Sequence, residues 1–172
     1  DAERLALSEV LVERNAGRVP AIIGVAGVTQ EVAAQFAAHA REIGADGVIA
    51  MPPYIKRATL SDQVITDYYR AISDAARLPV FIQNYDPPIG TNMSAELLLR
   101  LCREIEWVRY VKEETTPSTL KLSALLAGND GSSLTNMLGA TNAYQLVNLE
   151  QLQGAVRGGA VYYFDANTSV AG

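Results

Sequence analysis

Four short apolar runs, "PAIIGVAG", "GVIAMPPY", "PVFIQNY" and "VRYVKEE", recur along the chain at intervals of about 30 residues, the length of one strand-plus-helix unit. Each is too short for a helix and is rich in Val and Ile, so each reads as a strand. Between them lie amphipathic stretches. "TQEVAAQFAAHAREIG" places Val32, Phe36, His39 and Ile43 on one face and closes at Gly44, a residue type that commonly ends helices. "SDQVITDYYRAISDAARLP" begins with a capping Ser61 and stops before Pro79, and "SAELLLRLCREIE" begins with Ser94 and carries Glu96 in its first turn. Strands that are apolar almost throughout, alternating with helices, predict a parallel sheet covered by helices, either doubly wound or closed into a barrel.

A (β/α)8 barrel uses about 250 residues, so 172 residues would encode roughly five and a half of its units. The expectation is a single domain over 1–172, with an open sheet or an incomplete barrel. Beyond residue 116 the periodicity weakens: "GAVYYFD" is one candidate strand there, and 116–172 has no firm assignment.

Composition narrows the function. Hydrophobic residues make up 49% of the chain, enough for one sizeable core. The net charge is −5 and the 14 Lys and Arg are scattered, which argues against a nucleic-acid partner. No apolar run approaches the roughly 20 residues of a membrane helix, and the first residues carry charges where a signal peptide would be apolar. Cys102 is the single cysteine, so neither an intrachain disulfide nor a cysteine-based metal cluster is possible. These features favour a reduced, cytoplasmic setting with no membrane association, and no metal or cofactor is expected.

Parallel α/β proteins place their chemistry at the C-terminal ends of the strands, where Tyr54, Gln83, Asn84, Tyr85, Lys112, Glu113 and Glu114 stand. Simple alternation puts Lys112 on one strand face with Val108 and Tyr110, and Arg109, Val111 and Glu113 on the other. An ammonium in an apolar interior has its charged form disfavoured, which makes the neutral amine available to attack a carbonyl and form a Schiff base. The plainer reading is a strand-end lysine whose stem packs on the core while its amine reaches Glu114 or solvent. Tyr85 has two readings as well: a phenol brought into the site, or a turn residue packed before Asp86-Pro87-Pro88. Glu114 is either a proton carrier or an exposed charge opening the next helix. His39, on an apolar helix face away from the strand ends, reads as a packed, hydrogen-bonded residue. "GVAGVTQE" fits a strand-to-helix turn as well as a phosphate loop.

From about residue 3 to about residue 115 the chain resembles the dihydrodipicolinate synthase and N-acetylneuraminate lyase family of class I, pyruvate-handling aldolases. The matching pieces are "ER" at 3 and 4, "GRVPAIIGV" at 17–25, "GADGVIAMPPY" at 44–54, "LPVFIQN" at 78–84 and "VKE" at 111–113. The resemblance implies a (β/α)8 barrel, a Schiff-base nucleophile at Lys112, a small 2-keto acid as substrate and a homo-oligomer, commonly a tetramer. It also implies that two further strands, which hold the substrate carboxylate in the family, would precede residue 1.

Departures from the family pattern point to a subgroup. "QNYDPPIG" keeps Asn84 and Gly90, but Gln83 stands where the family's proton-relaying tyrosine would be, and Pro88 replaces the arginine with which the synthase grips its second substrate. "MPPY", Gln83, "REIEWVRYVK" and the Lys112-x-Glu114-Thr115 pattern look most like the family's 2-keto-3-deoxy sugar-acid dehydratases, the L-2-keto-3-deoxyarabonate type among them. The residues expected to be catalytic are Lys112, which the resemblance implies, Gln83, and Tyr85, which shares a strand face with Gln83 if the strand continues; Tyr54, Asn84, Glu114 and Thr115 are expected to bind substrate. The rivals are a pyruvate-dependent aldolase or synthase of the same family, and a catalytically silent barrel fragment that binds a keto acid or a partner chain.

Overall fold

The computed structural model describes residues 1–53 and 60–129. Nine elements alternate along this part of the chain: α1 (Ala2–Asn15), β1 (Ile22–Gly24), α2 (Gln30–Glu42), β2 (Gly47–Ala50), α3 (Asp62–Ala76), β3 (Val80–Tyr85), α4 (Ala95–Glu104), β4 (Val108–Glu114) and α5 (Ser118–Gly128). The four strands form one parallel sheet in the order β1-β2-β3-β4, so every strand lies beside its neighbour in sequence. Each intervening helix returns the chain to the end of the sheet at which the next parallel strand must begin.

The helices form where local chemistry starts and stops them. Thr29, Ser61 and Ser94 each accept a hydrogen bond from the backbone N–H three residues on, satisfying a donor that has no partner within the helix. Gly44, with φ of 81°, turns the chain out of α2 in a conformation that a side chain would strain. Two helices were not legible as such. The exposed Leu7, Val10 and Leu11 of α1 blur its inward stripe, and α5 shows no polar-apolar alternation beyond the general apolarity of "LSALLAG".

One face of the sheet is packed against helices. Val48 and Ala50 of β2, Val80 and Ile82 of β3, and Val108 and Val111 of β4 join Phe36, Tyr68, Ile72, Leu98 and Leu101 from the helices in a continuous core. Val108 and Val111 belong to this same face although three residues separate them. The cause is an irregularity in the β3–β4 ladder: Val80 pairs with Val108, but Phe81 pairs with Tyr110, which leaves Arg109 as an extra residue. Such a bulge shifts every later side chain by one face. Val108 therefore does not share a face with Lys112, contrary to the simple alternation.

The loops that follow the strands are held from below by buried tyrosines. The Tyr68 hydroxyl accepts from Gly27 N at 3.0 Å, and the Tyr69 hydroxyl donates to Ala50 O at 2.8 Å. Burial pushes the Tyr69 phenol well above its ordinary pKa. A side chain at Gly27 would meet the Ala33 backbone at 2.6 Å, so "GVAGVTQE" is a tight strand-to-helix turn whose central N–H is already satisfied by Tyr68. His39 packs under α1, its Nε2 3.4 Å from Leu5 O and 3.5 Å from Glu9 Oε1. Tyr54, Lys56 and the candidate strand "GAVYYFD" lie outside the described residues. No helix among the described residues is long and apolar enough to cross a membrane.

Candidate active site

β3 and β4 run side by side to their C-terminal ends, and their register sets which side chains meet. Gln83 pairs with Lys112, Asn84 with Glu113, and Tyr85 with Glu114. Since paired residues of parallel strands point to the same side, Gln83, Tyr85, Lys112 and Glu114 all project from the face opposite the helices, whereas Asn84 and Glu113 project toward them.

On the open face the side chains stand in layers. Phe81 and Tyr110 stack with ring centroids 4.3 Å apart and planes at 16°, an apolar floor one step below the polar groups. Above that floor Lys112 Nζ lies 2.7 Å from Glu114 Oε1, and Gln83 Nε2 donates to Glu114 Oε2 at 2.7 Å. The Lys112 and Glu114 side chains are 20% and 18% exposed, so the pair is largely but not wholly withdrawn from water. Of the two readings of Lys112, the plainer one named this contact: the amine meets the Glu114 carboxylate two residues further along the same strand face.

Asn84 and Thr115 are taken out of this cluster. Asn84 is fully buried on the helix side, where its Oδ1 accepts from Met93 N at 2.8 Å and its Nδ2 donates to Met93 O at 3.3 Å and to Glu113 Oε2 at 2.7 Å. Thr115, 3% exposed, directs both its N–H and its hydroxyl to Glu113 Oε1. The donors of both residues are thus engaged within the protein. Tyr85 remains half-buried on the Lys112 face.

The loops beyond the two strands are tied to each other. Asp86 accepts from Thr116 N at 2.6 Å and from Asn92 Nδ2 at 2.7 Å, and Lys121 of α5 donates to Asn92 Oδ1 and, at 2.8 Å, to Met93 O. Gly90 is required in this tight loop, since a Cβ there would lie 2.2 Å from Tyr85 O. A depression lined by Asn92, Ser94, Thr115, Thr116 and Lys121 opens on the α4–α5 side of the strand ends; Lys112, Gln83 and Glu114 contribute nothing to its walls.

Two features of the site escaped the sequence reading: the Phe81–Tyr110 floor and the hydrogen bonds that Asn84 and Thr115 donate to Glu113. The alternation of Phe81, Gln83 and Tyr85 against Tyr110, Lys112 and Glu114 carried the signal for the first, once the extra residue at Arg109 is allowed for.

Known proteins resemble the chain in sequence and in fold. Residues 1–141 match the model of the dihydrodipicolinate synthetase family. The chain is 39% identical over 128 residues to the L-2-keto-3-deoxyarabonate dehydratase of Azospirillum brasilense, covering 73% of this chain and 41% of that protein. It is 34% identical over 112 residues to the Escherichia coli K12 protein named "Probable 2-dehydro-3-deoxy-D-pentonate aldolase YjhH", covering 65% and 36%. Among solved structures, dihydrodipicolinate synthase of Aquifex aeolicus superposes with a TM-score of 0.65 at 27% identity, over 73% of this chain and 42% of that one. The chain thus spans less than half the length of these relatives. Its four βα repeats are those of a TIM barrel, seen in part. The chain belongs to the dihydrodipicolinate synthetase family.

Proposed function

We propose that the whole protein is a lyase that forms a Schiff base between Lys112 and a 2-keto acid, and that its reaction is the dehydration of a 2-keto-3-deoxy sugar acid. The observation that carries this reading is the line Gln83–Glu114–Lys112, in which one carboxylate is held by an amide at one oxygen and meets the lysine at the other.

An ammonium is not a nucleophile, so Lys112 must first lose a proton, and Glu114 Oε1 at 2.7 Å is in position to take it. The neutral amine then adds to C2 of the keto acid. Glu114 returns the proton to the carbinolamine hydroxyl, which leaves as water and creates the iminium. The iminium draws electrons from C3, whose proton passes to the freed Glu114 carboxylate. The resulting enamine expels the C4 hydroxyl, which takes that proton and departs as a second water. Hydrolysis of the conjugated iminium consumes one water and restores Lys112, so one water is lost per turnover. Gln83 keeps Glu114 aimed at the reacting carbons, with Tyr85 as a further hydroxyl on the same face. Tyr54 belongs to the proposal as a substrate contact. Asn84 and Thr115 are assigned to the support of Glu113. The chemistry calls on no cofactor or metal.

The similarity to the Azospirillum dehydratase supports dehydration. Similarity to the E. coli protein named as an aldolase favours a second reading, in which the same iminium accepts electrons from the breaking C3–C4 bond and pyruvate is released. The proposal includes one barrel domain containing 1–172 and a cytoplasmic homo-oligomer, tetrameric by family resemblance; sedimentation of the whole protein checks the assembly.

The deciding experiment treats the full-length protein with a 2-keto acid and borohydride, then maps the labelled peptide. The expected label is on Lys112, with loss of label and turnover in Lys112→Ala and retention of both in Lys56→Ala. A label on Lys56 or Lys121, or activity surviving in Lys112→Ala, overturns the assignment. Release of pyruvate as the main product selects the aldolase reading.

A further inference from the structure

We infer that Glu113 is a positioning residue for the reaction at Lys112: anchored at both carboxylate oxygens on the helix side of β4, it fixes the strand end so that Lys112 and Glu114, on either side of it in sequence, present their side chains to Gln83. The inference rests on the Schiff-base reading above and adds to it a residue that does not touch the substrate.

The geometry leaves Glu113 little freedom. Its Oε2 accepts from Asn84 Nδ2 at 2.7 Å, and its Oε1 accepts both the N–H of Thr115, at 2.8 Å, and the Thr115 hydroxyl. Asn84 cannot reverse its amide, because its Oδ1 already accepts Met93 N at 2.8 Å deep in the core. The pairs Asn84–Glu113 and Gln83–Lys112 are successive rungs of the same ladder, pointing to opposite faces. Fixing one rung therefore fixes the direction of the next. The bulge at Arg109 makes such an anchor necessary, since irregular pairing upstream leaves the face assignment of β4 less firmly held by its ladder.

A carboxylate is the group this position requires. Asn84 Nδ2 and the Thr115 N–H can only donate, so an isosteric Gln must direct its NH2 against one or the other. An aspartate introduced in place of Asn84 reverses that conflict: its Oδ1 still accepts Met93 N, its second oxygen accepts from the amide introduced by Glu113→Gln, and Met93 O keeps the Lys121 ammonium as donor at 2.8 Å.

The test measures the single-turnover rate of borohydride trapping at saturating pyruvate in the full-length protein. Wild type, Glu113→Gln, Asn84→Asp and the Asn84→Asp/Glu113→Gln pair are compared, with thermal unfolding recorded for each. Each single variant is expected to trap at least about ten-fold more slowly, within the roughly 100-fold that misplacement of a reacting group can cause. The pair is expected to recover most of the rate. A merely structural role would change the unfolding midpoint without a slower trapping rate in the folded fraction. Wild-type trapping in Glu113→Gln, or a double variant no faster than the slower single, overturns the inference. Should Glu113→Gln fail to fold, Thr115→Val, which removes one hydroxyl donor, is expected to trap several-fold more slowly, and a wild-type rate there overturns it equally. Absence of label at Lys112 in the wild type defeats the Schiff-base reading and this inference together, whereas labelled wild type with unaffected variants defeats only the inference.

Discussion

Lys112 and Glu114, two residues apart on β4, meet at 2.7 Å between Nζ and Oε1 on the sheet face that no described helix covers. Because strand side chains repeat every second residue, a Lys-x-Glu pattern at a strand end brings the pair together without any further element. Gln83 on the adjacent strand then fixes the remaining carboxylate oxygen, so two short sequence motifs are joined into one cluster by strand register.

Glu114→Gln keeps the shape of the cluster but removes the group that exchanges protons with Lys112. On the proposed mechanism, turnover is expected to fall by about 100-fold or more, in the range that general acid–base groups contribute, while slow trapping of the imine persists. Comparison of steady-state kcat with the borohydride label checks this. Unchanged turnover would remove Glu114 from the chemistry. Gln83→Leu is expected to lower kcat less than Glu114→Gln, because the carboxylate remains and only its orientation is released.

Pro88 stands where the family resemblance expects the arginine that binds the second substrate of the synthase. The full-length protein is therefore expected to condense aspartate semialdehyde with pyruvate at no useful rate, measured in a coupled assay beside a dehydration assay. Robust synthesis would contradict the choice of subgroup.

Cys102, 4% exposed, has its thiol pushed up to about 12 by burial. An unfolded cysteine ionises near ~8.5, so between roughly 8.5 and 12 the unfolded chain releases a proton that the folded chain retains. In this window the folded state binds more protons, and its stability must decline as pH rises. Tyr69 acts in the same direction above its ordinary range near ~10. Denaturant titrations at several alkaline pH values are expected to show this fall, with a shallower slope in Cys102→Ala. An unchanged slope would show that the buried thiol is not its source. Modification of Cys102 by a thiol reagent is expected only on unfolding.

Ser94 caps α4 by accepting Leu97 N at 3.1 Å, and Glu96 in the first turn has its carboxyl held below the ordinary range by its own backbone N–H and by Ser94. Ser94→Ala is expected to destabilise the protein by about 1 kcal/mol, the usual value of such a cap, and to move the Glu96 carboxyl back toward its ordinary value. Chemical denaturation and a carboxyl-resolved NMR titration read the two effects separately. Loss of neither would mean that the cap is replaced by water without penalty.

The order of the four strands and of α2, α3 and α4 was legible because each of these elements carries its own local signal. The four apolar runs hold β1 to β4, and Thr29, Ser61, Ser94 and Gly44 mark helix ends through hydrogen bonds and backbone conformations that involve only nearby residues. The place of Lys112 at a strand end was legible for the same reason. Other features depended on what lies across the ladder. Only pairing with β3 decides that Arg109 is an extra residue, and this alone moves Val108 to the helix side while Tyr110 and Lys112 stay on the other. Only packing against Met93 and Glu113 decides that Asn84, adjacent to Gln83 in sequence, turns its amide into the core. Glu114, open to two readings as a residue in a sequence, became the partner of Lys112 because β4 continues through it in register with Tyr85. Face and partner are properties of a pairing between strands, which no residue type encodes alone.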